Sequence, residues 1–274
     1  MSKKKILITV KTYPNISTRY EELVCTAGFD EDGNWYRIYP VPYRRLPYGQ
    51  QYSKYDWIEL DLVKNTKDFR KESYRPKDID VDEPIKKLGK ITSAGNWAQR
   101  KAVVLDKARL YTNLDELIAE AKSDERISLA VFKPSVILDF TYKEEAEREW
   151  PQNKLALFNQ QNLFEEASSR KTKIVKKLPY KFKYLFEDDS GKQSHLMIED
   201  WEVGALYWKE WRKYGDEKEA CESVKQKFFN ELTKKDLYFF LGTTFINHMR
   251  APNPFVIIGV FYPKIEPQLK LKFE

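Results

Sequence analysis

The run Arg170-Lys171-Thr172-Lys173-Ile174-Val175-Lys176-Lys177-Leu178-Pro179-Tyr180-Lys181-Phe182-Lys183-Tyr184 holds seven cations and no acid. The chain as a whole carries 48 basic and 42 acidic residues, so its formal charge of +6 decides little and local clustering decides more. Clustered cations of this kind are a candidate phosphate footprint, because a polyanion repays several lysines at once by releasing its counterions. The second half of the run alternates at strand period, which gives one aromatic face and one cationic face. An exposed aromatic face would let bases stack on Tyr180, Phe182 and Tyr184. A buried one would leave Lys181 and Lys183 as a solvated stripe.

A second candidate surface is Trp35-Tyr36-Arg37-Ile38-Tyr39-Pro40-Val41-Pro42-Tyr43-Arg44-Arg45. The guanidinium fork matches phosphate geometry and stacks on rings, and a proline-stiffened loop lowers the ordering cost of binding. The competing reading is a proline-rich crossover pinned by aromatic packing. The nucleic-acid-contacting set expected from both segments is Arg37, Arg44, Arg45, Lys171, Lys173, Lys176, Lys177, Lys181 and Lys183.

Acid–base or metal chemistry has little to draw on. With only two histidines, His195 and His248, a centre of three histidines is excluded. His195 precedes Glu199, Asp200 and Glu202 closely enough for a His/carboxylate pairing, although Asp200 also suits a helix N-cap. His248, in the Asn247–Pro254 loop beside Arg250, is expected to be the more exposed of the two. Glu59-Leu60-Asp61-Leu62-Val63-Lys64 has the letters of a metal-dependent nuclease motif with the wrong spacing. Ten glycines supply no phosphate loop, dinucleotide fingerprint or nucleophile elbow. Cys25 and Cys221 are far apart and read as ordinary thiols, so neither a cofactor nor a metal is expected.

The elements that must position these residues follow from local patterns. Ile6–Tyr13, Glu22–Phe29 and Trp35–Tyr39 read as strands, the last two joined by the acidic turn Asp30–Asn34. Asp56–Lys64 alternates as a fourth strand, and the charged stretch Lys67–Lys90 reads as a surface excursion with little core. Ser93 or Asn96 is expected to cap a helix to about Leu105, and Asn113 a second from Leu114 to Lys122. Strand character returns over Ile127–Tyr142. A helix through Leu155, Leu157, Phe158 and Leu163 follows, then a hairpin of Pro179–Phe186 and Gln193–Ile198. Asp200 and Gly215 bracket a helix Trp201–Tyr214, and Asp216 caps the next. The aromatic stripe of that first helix, Ala205, Trp208 and Trp211 widened by Val203, Leu206 and Tyr207, is expected to face the core, with a partner interface as the alternative. Leu237–Phe245 and Phe255–Tyr262 close the pattern as strands.

The sum is an α+β protein of two mixed sheet-and-helix domains, residues 1–148 and 149–274, with antiparallel hairpins and helices packed on them. Most of the 16 Phe, 17 Tyr and 7 Trp residues are expected in the core. Lys11 interrupts the opening apolar run too early for a signal sequence, and no run approaches the roughly 20 apolar residues of a bilayer span. A cytoplasmic protein is therefore expected. The leading functional expectation is a nucleic-acid-binding protein, or a non-catalytic subunit of a nucleic-acid-processing assembly. The alternatives are a nuclease- or phosphoesterase-like hydrolase using His195 or His248 with nearby carboxylates, and a scaffold that binds another protein or a second copy of itself.

Overall fold

The computed structural model describes residues 3–17, 21–78, 84–156 and 174–266. The N-terminal part contributes β1 (Lys4–Lys11), β2 (Asn15–Ser17), β3 (Glu21–Leu23), β4 (Thr26–Phe29), β5 (Trp35–Ile38), β6 (Asp56–Leu60), β7 (Leu62–Lys64), β8 (Ser73–Pro76) and β9 (Lys86–Lys90). Seven of these form one sheet in the order β7-β8-β5-β4-β1-β6-β9, with β2 and β3 as a separate ribbon. The single strand expected over Asp56–Lys64 is two strands, with only Asp61 between them. Because β6 pairs with β1 and β7 with β8, at nearly opposite ends of the order, the sheet must curl round so that the chain running from β6 through Asp61 into β7 closes it into a small barrel. β9 pairs with β6 on the outside of that ring.

Alternation along the strands fills that barrel. Ile6 and Ile8 of β1, Tyr36 and Ile38 of β5, and Ile58 and Leu60 of β6 point into one core with Tyr43 and Tyr52 from the proline-rich crossover. The intervening residues Leu7, Val10, Phe29 and Trp35 leave on the outer face. The Asp30–Asn34 turn forms as expected: the Asp30 carboxylate accepts from Asp32 N at 3.0 Å and Asn34 N at 2.9 Å, and Gly33 takes φ of +87°.

The C-terminal part adds β10 (Leu110–Tyr111), β11 (Leu129–Phe132), β12 (Val136–Glu144), β13 (Tyr180–Glu187), β14 (Gln193–Met197), β15 (Tyr238–Thr243) and β16 (Phe255–Phe261). β10-β11-β15-β16 make a four-stranded sheet and β12-β13-β14 a three-stranded one. β12 pairs with β13, so strand pairing crosses residue 148, where the sequence reading divides the domains. Helices Leu114–Lys122, Trp201–Tyr214 and Glu217–Lys225 are capped by Asn113, Asp200 and Asp216, each accepting a backbone N–H two or three residues on. The α+β class is what the chain forms, and no described helix is long and apolar enough to cross a membrane.

Two apolar layers join the parts. The outer face of the barrel meets β11, β15 and β16 through Phe29, Trp35, Phe240 and Phe261, and Phe29 and Trp35 lie 3.8 Å apart between ring centroids. The other face of the four-stranded sheet packs on the three-stranded sheet and helices around Phe132, Phe140, Phe182, Tyr184, Phe186 and Phe239. Most of the large aromatics are thus structural, each buried ring contributing on the order of 1.5–3 kcal/mol.

Two local expectations need correction. Lys67–Lys90 is not a bare excursion, because it supplies β8 and β9 and buries Asp68, Arg70, Glu72 and Ser73. On the helix Trp201–Tyr214, Ala205 is exposed. The rest of the expected stripe does face the core, with Val203 and Tyr207 buried and Leu206, Trp208 and Trp211 packed half-buried against it, and the buried face extends to Gly204 and Glu210 on the side toward Tyr13.

Candidate functional site

Where the end of β1 meets the junction of β14 with helix Trp201–Tyr214, the two parts enclose a cleft of about 680 Å³. A backbone bridge between Thr12 and Asp200, and the Tyr13 N–H donated to Glu199 O at 2.9 Å, hold its back wall together. Arg37, Arg70, Trp150, Lys177, Lys181 and Glu199 are among its lining residues.

The floor is a buried polar network. Strand alternation turns Arg37 out of the barrel between Tyr36 and Ile38, into the junction with β11, where it is 3% exposed. Its Nη2 donates to Ser128 O at 2.9 Å and to the Ser128 hydroxyl at 3.2 Å, and its Nη1 to Cys25 Sγ at 3.6 Å. The Glu72 carboxylate accepts from Ser128 N at 3.0 Å and from its hydroxyl at 2.6 Å. Arg70 grips Asp68 through Nε at 2.9 Å and Nη2 at 2.6 Å, and donates Nη1 to Thr243 O at 2.6 Å. Two buried polar atoms in this floor, Arg37 Nε and the Thr244 hydroxyl, have no hydrogen-bond partner among the described residues. Leaving such a group unsatisfied costs about 1–3 kcal/mol, so the floor is poised to gain from an acceptor. Burial, with Arg70 nearby, lowers the Arg37 pKa below the ordinary guanidinium value.

The rim comes from the basic segment ahead of β13. Trp150 Nε1 donates to Val175 O at 2.7 Å and Tyr13 Oη to Lys176 O at 2.8 Å, so the segment is strapped across the cleft mouth. Trp208 Nε1 donates to Tyr13 Oη at 2.9 Å, and the Lys176 ammonium sits 5.1 Å and 4.9 Å from the Trp208 and Trp211 rings. Lys177 donates to the Glu147 carbonyl, and Lys181 pairs with Glu145 at 2.8 Å. Burial raises the Glu199 carboxyl above the usual carboxylate range, with Lys181 opposing.

Of the residues singled out from sequence, Arg37, Lys177 and Lys181 line this one cleft. Lys176 is exposed beside it, and Lys183 is half-buried on the same face of β13 as Lys181. Arg44 and Arg45 belong to the turn Tyr43–Arg45 at the barrel crossover and are not among the lining residues. Lys171 and Lys173, with most of the helix expected through Leu155–Leu163, lie outside the described residues. Base stacking on the β13 aromatic face is overturned, because Phe182 and Tyr184 are buried in the core. Arg37 is likewise not a surface cation: it reaches the cleft from beneath.

The histidines also differ from expectation. His248 is 0% exposed, with Nδ1 2.8 Å from the Thr243 hydroxyl and its ring against Phe69, since its loop folds back over β15. His195 is the exposed one, 2.9 Å through Nε2 from the Thr141 hydroxyl. Burial lowers the pKa of both. Among the described residues, no group of three or more His, Cys, Asp or Glu side chains is placed to hold a metal ion. Sequence reading missed Tyr13, Arg70, Trp150 and Thr244. Only Arg70 left a signal, in the alternating charges of Asp68, Arg70, Lys71 and Glu72.

Two family models match the chain: Domain of unknown function (DUF8758) over residues 2–106, and Domain of unknown function (DUF8757) over residues 111–274. The junction between the matches falls between the barrel part and β10. No curated protein matches the chain.

Proposed function

The chain belongs to the family of the Domain of unknown function (DUF8757), and from the cleft this part makes with the barrel we propose that the protein binds a nucleic-acid strand by its phosphates. The observation that carries the reading is that Arg37 and the pair Lys177 and Lys181, drawn from two distant basic segments, line one cavity. Arg70 and Lys154 add to the positive side of that cavity, against Glu145, Glu199 and Asp200. Asp200 is already matched by Lys54, Arg70 by Asp68 and Lys181 by Glu145, which leaves Arg37, Lys154 and Lys177 against Glu199 and a net field that favours an anion. Trp150 and Tyr39 give the lining flat surfaces for a base, and the unpartnered Arg37 Nε offers a donor at the floor.

Fluorescence anisotropy with labelled single-stranded DNA and RNA tests the reading. Affinity should fall steeply between about 50 and 200 mM salt, and the double substitution Lys177→Glu/Lys181→Glu should weaken binding whatever the sequence and flatten the salt slope by about one unit per lost contact. Absence of binding to either strand type at low ionic strength refutes it.

A further inference from the structure

A second, smaller pocket lies on the other side of Asp200 and takes no part in the reading just given. It encloses about 380 Å³ and is lined by Lys11, Lys54, Tyr55, Trp97, Arg100 and Trp201, among others. Two of its cations are buried without a carboxylate partner among the described residues. Lys11, 8% exposed, donates to Tyr52 O at 3.2 Å, and its ammonium lies 3.9 Å from the Tyr43 ring centre and 4.6 Å from that of Trp201. Arg100, also 8% exposed, donates to Ile91 O at 3.3 Å from Nε and 3.1 Å from Nη2, and stacks 3.8 Å from the Tyr55 ring and 4.7 Å from that of Trp97. A buried charge is costly unless paired, and ring faces and carbonyls repay only part of that cost. Of the other two lining cations, Lys54 is neutralised by Asp200 at 2.6 Å and the exposed Lys90 is offset in charge by Glu202 of the same lining, so the pocket keeps an excess of two positive charges from Lys11 and Arg100. Glu202, half-exposed and 3.5 Å from Lys54, is the one carboxylate among the described residues lining the pocket.

The aromatic walls are held in place by unusual backbone. Tyr55 has φ of +68° and Trp97 +64°, the latter following Gly95 at +57° and Asn96 at +50°. Left-handed conformations cost bulky residues about 1–3 kcal/mol each and persist only where the surroundings enforce them. Here the Tyr55 N–H donates to Ile8 O at 2.5 Å and Tyr55 O accepts from Ile91 N at 2.8 Å, while Asn96 Nδ2 donates to Lys264 O at 3.0 Å. The result is two rings set against one guanidinium, with Trp201 across the cavity.

We propose that this pocket binds a nucleoside monophosphate, its phosphate taken by Lys11 and Arg100 and its base placed against Trp97 or Trp201. The dianionic phosphate supplies the charge the two cations lack, the aromatic walls suit a planar base, and the volume lies at the small end of ligand sites, which run from roughly 300 to 1,000 Å³. Burial, reinforced by Lys54, lowers the Lys11 pKa to about 8, as expected of an ammonium still waiting for a counter-ion.

Isothermal titration calorimetry with AMP, GMP, CMP and UMP tests the assignment, with inorganic phosphate and the free nucleosides as partial ligands. At least one mononucleotide should bind about tenfold or more tightly than either of its parts. Lys11→Met and Arg100→Gln should each weaken it by about tenfold, the loss expected for one charge-assisted contact. If either variant fails to fold, photo-crosslinking of an azido-mononucleotide to the wild-type protein replaces it, and the label should map to the peptide of Trp97 or Trp201. The cleft variant Lys177→Glu/Lys181→Glu should keep full mononucleotide binding, which separates this site from the strand-binding reading. Failure of all four mononucleotides to bind at about millimolar concentration overturns the proposal. So do unchanged affinity in both pocket variants, a label on the Trp150 peptide, and loss of mononucleotide binding in the cleft variant.

Discussion

The Lys54 ammonium lies 2.7 Å and 2.6 Å from the two carboxylate oxygens of Asp200, and this contact stands between the two cavities described above. Asp200 lines the larger and Lys54 the smaller. The same carboxylate caps helix Trp201–Tyr214 by accepting from Glu202 N at 3.0 Å, and its backbone bridges to Thr12. One residue therefore fixes the start of a helix and neutralises a buried lysine with its side chain, and with its backbone helps to close the seam between the barrel and the C-terminal part.

Breaking that pair should cost more than either group contributes alone. Burial disfavours the Lys54 charge, but Asp200 and Glu202 outweigh it and keep the ammonium protonated. Lys54→Met leaves Asp200 buried and unpaired and should lower unfolding free energy by about 3–5 kcal/mol in urea titrations. Asp200→Asn retains a good cap and should cost less. The double variant should lose less than the two single losses added together, and simple additivity would show that the pair is not coupled.

Helix interiors ordinarily prefer Ala to Gly by about 1 kcal/mol, yet Gly204→Ala should destabilise. A Cβ at position 204 would stand 2.2 Å from Tyr13 Cδ2, inside the ring that also hydrogen-bonds Trp208 and Lys176. The expected loss is about 1–3 kcal/mol, the usual cost of overpacking. Adding Tyr13→Ala should reverse the sign of the Gly204→Ala effect, because the obstacle is then gone. Thermal unfolding of the two backgrounds compares them directly.

At Arg37 a lysine keeps the charge but not the fork. It cannot serve Ser128 and Cys25 at once, so Arg37→Lys should lower stability by about 1–3 kcal/mol. If a phosphate reaches the unpartnered Nε, the same variant should also lose about tenfold in oligonucleotide affinity with little change of salt slope. Wild-type affinity in Arg37→Lys would make the cleft floor purely structural.

What the sequence made legible follows the range of each interaction. The caps at Asn113, Asp200 and Asp216 are local, a side-chain oxygen and an N–H two or three residues on, and they form where the pattern puts them. The β13 alternation is equally local, and its aromatic face is the buried one. Arg37 could not be read this way, because its partner Ser128 is 91 residues distant and only tertiary contact brings it under the cleft. Lys67–Lys90 misleads for a related reason: mixed charges read as solvated, whereas Asp68 with Arg70 and Glu72 with Ser128 satisfy one another inside. The first helix fails at its start because Ser93 makes no side-chain cap bond and Gly95, Asn96 and Trp97 turn left-handed before the helix begins. No local signal announces Lys11 either, a strand residue whose neighbours Tyr43, Lys54 and Trp201 arrive from three separate segments.

Lys11 gives the protein a stability gain on the alkaline side. Its native pKa of about 8 lies below the ordinary lysine value of 10.5, with burial the main cause, Lys54 adding to it, and Glu202, Asp56 and Asp200 opposing. Between those two values the unfolded chain binds a proton that the native state has released, so the Lys11 contribution to stability must rise with pH across that window. Below it both states are protonated and the full cost of the buried charge is felt. The swing should be on the order of 2 kcal/mol, and Lys11→Met, which has nothing to titrate, should lack it. Urea unfolding of wild type and variant from about pH 7 to pH 10 isolates the effect, since tyrosines and other lysines are common to both. Wild-type stability minus that of the variant should rise with pH across the window if the fold holds Lys11 neutral at high pH, and a difference independent of pH would mean that the ammonium is as well solvated in the fold as in the unfolded chain.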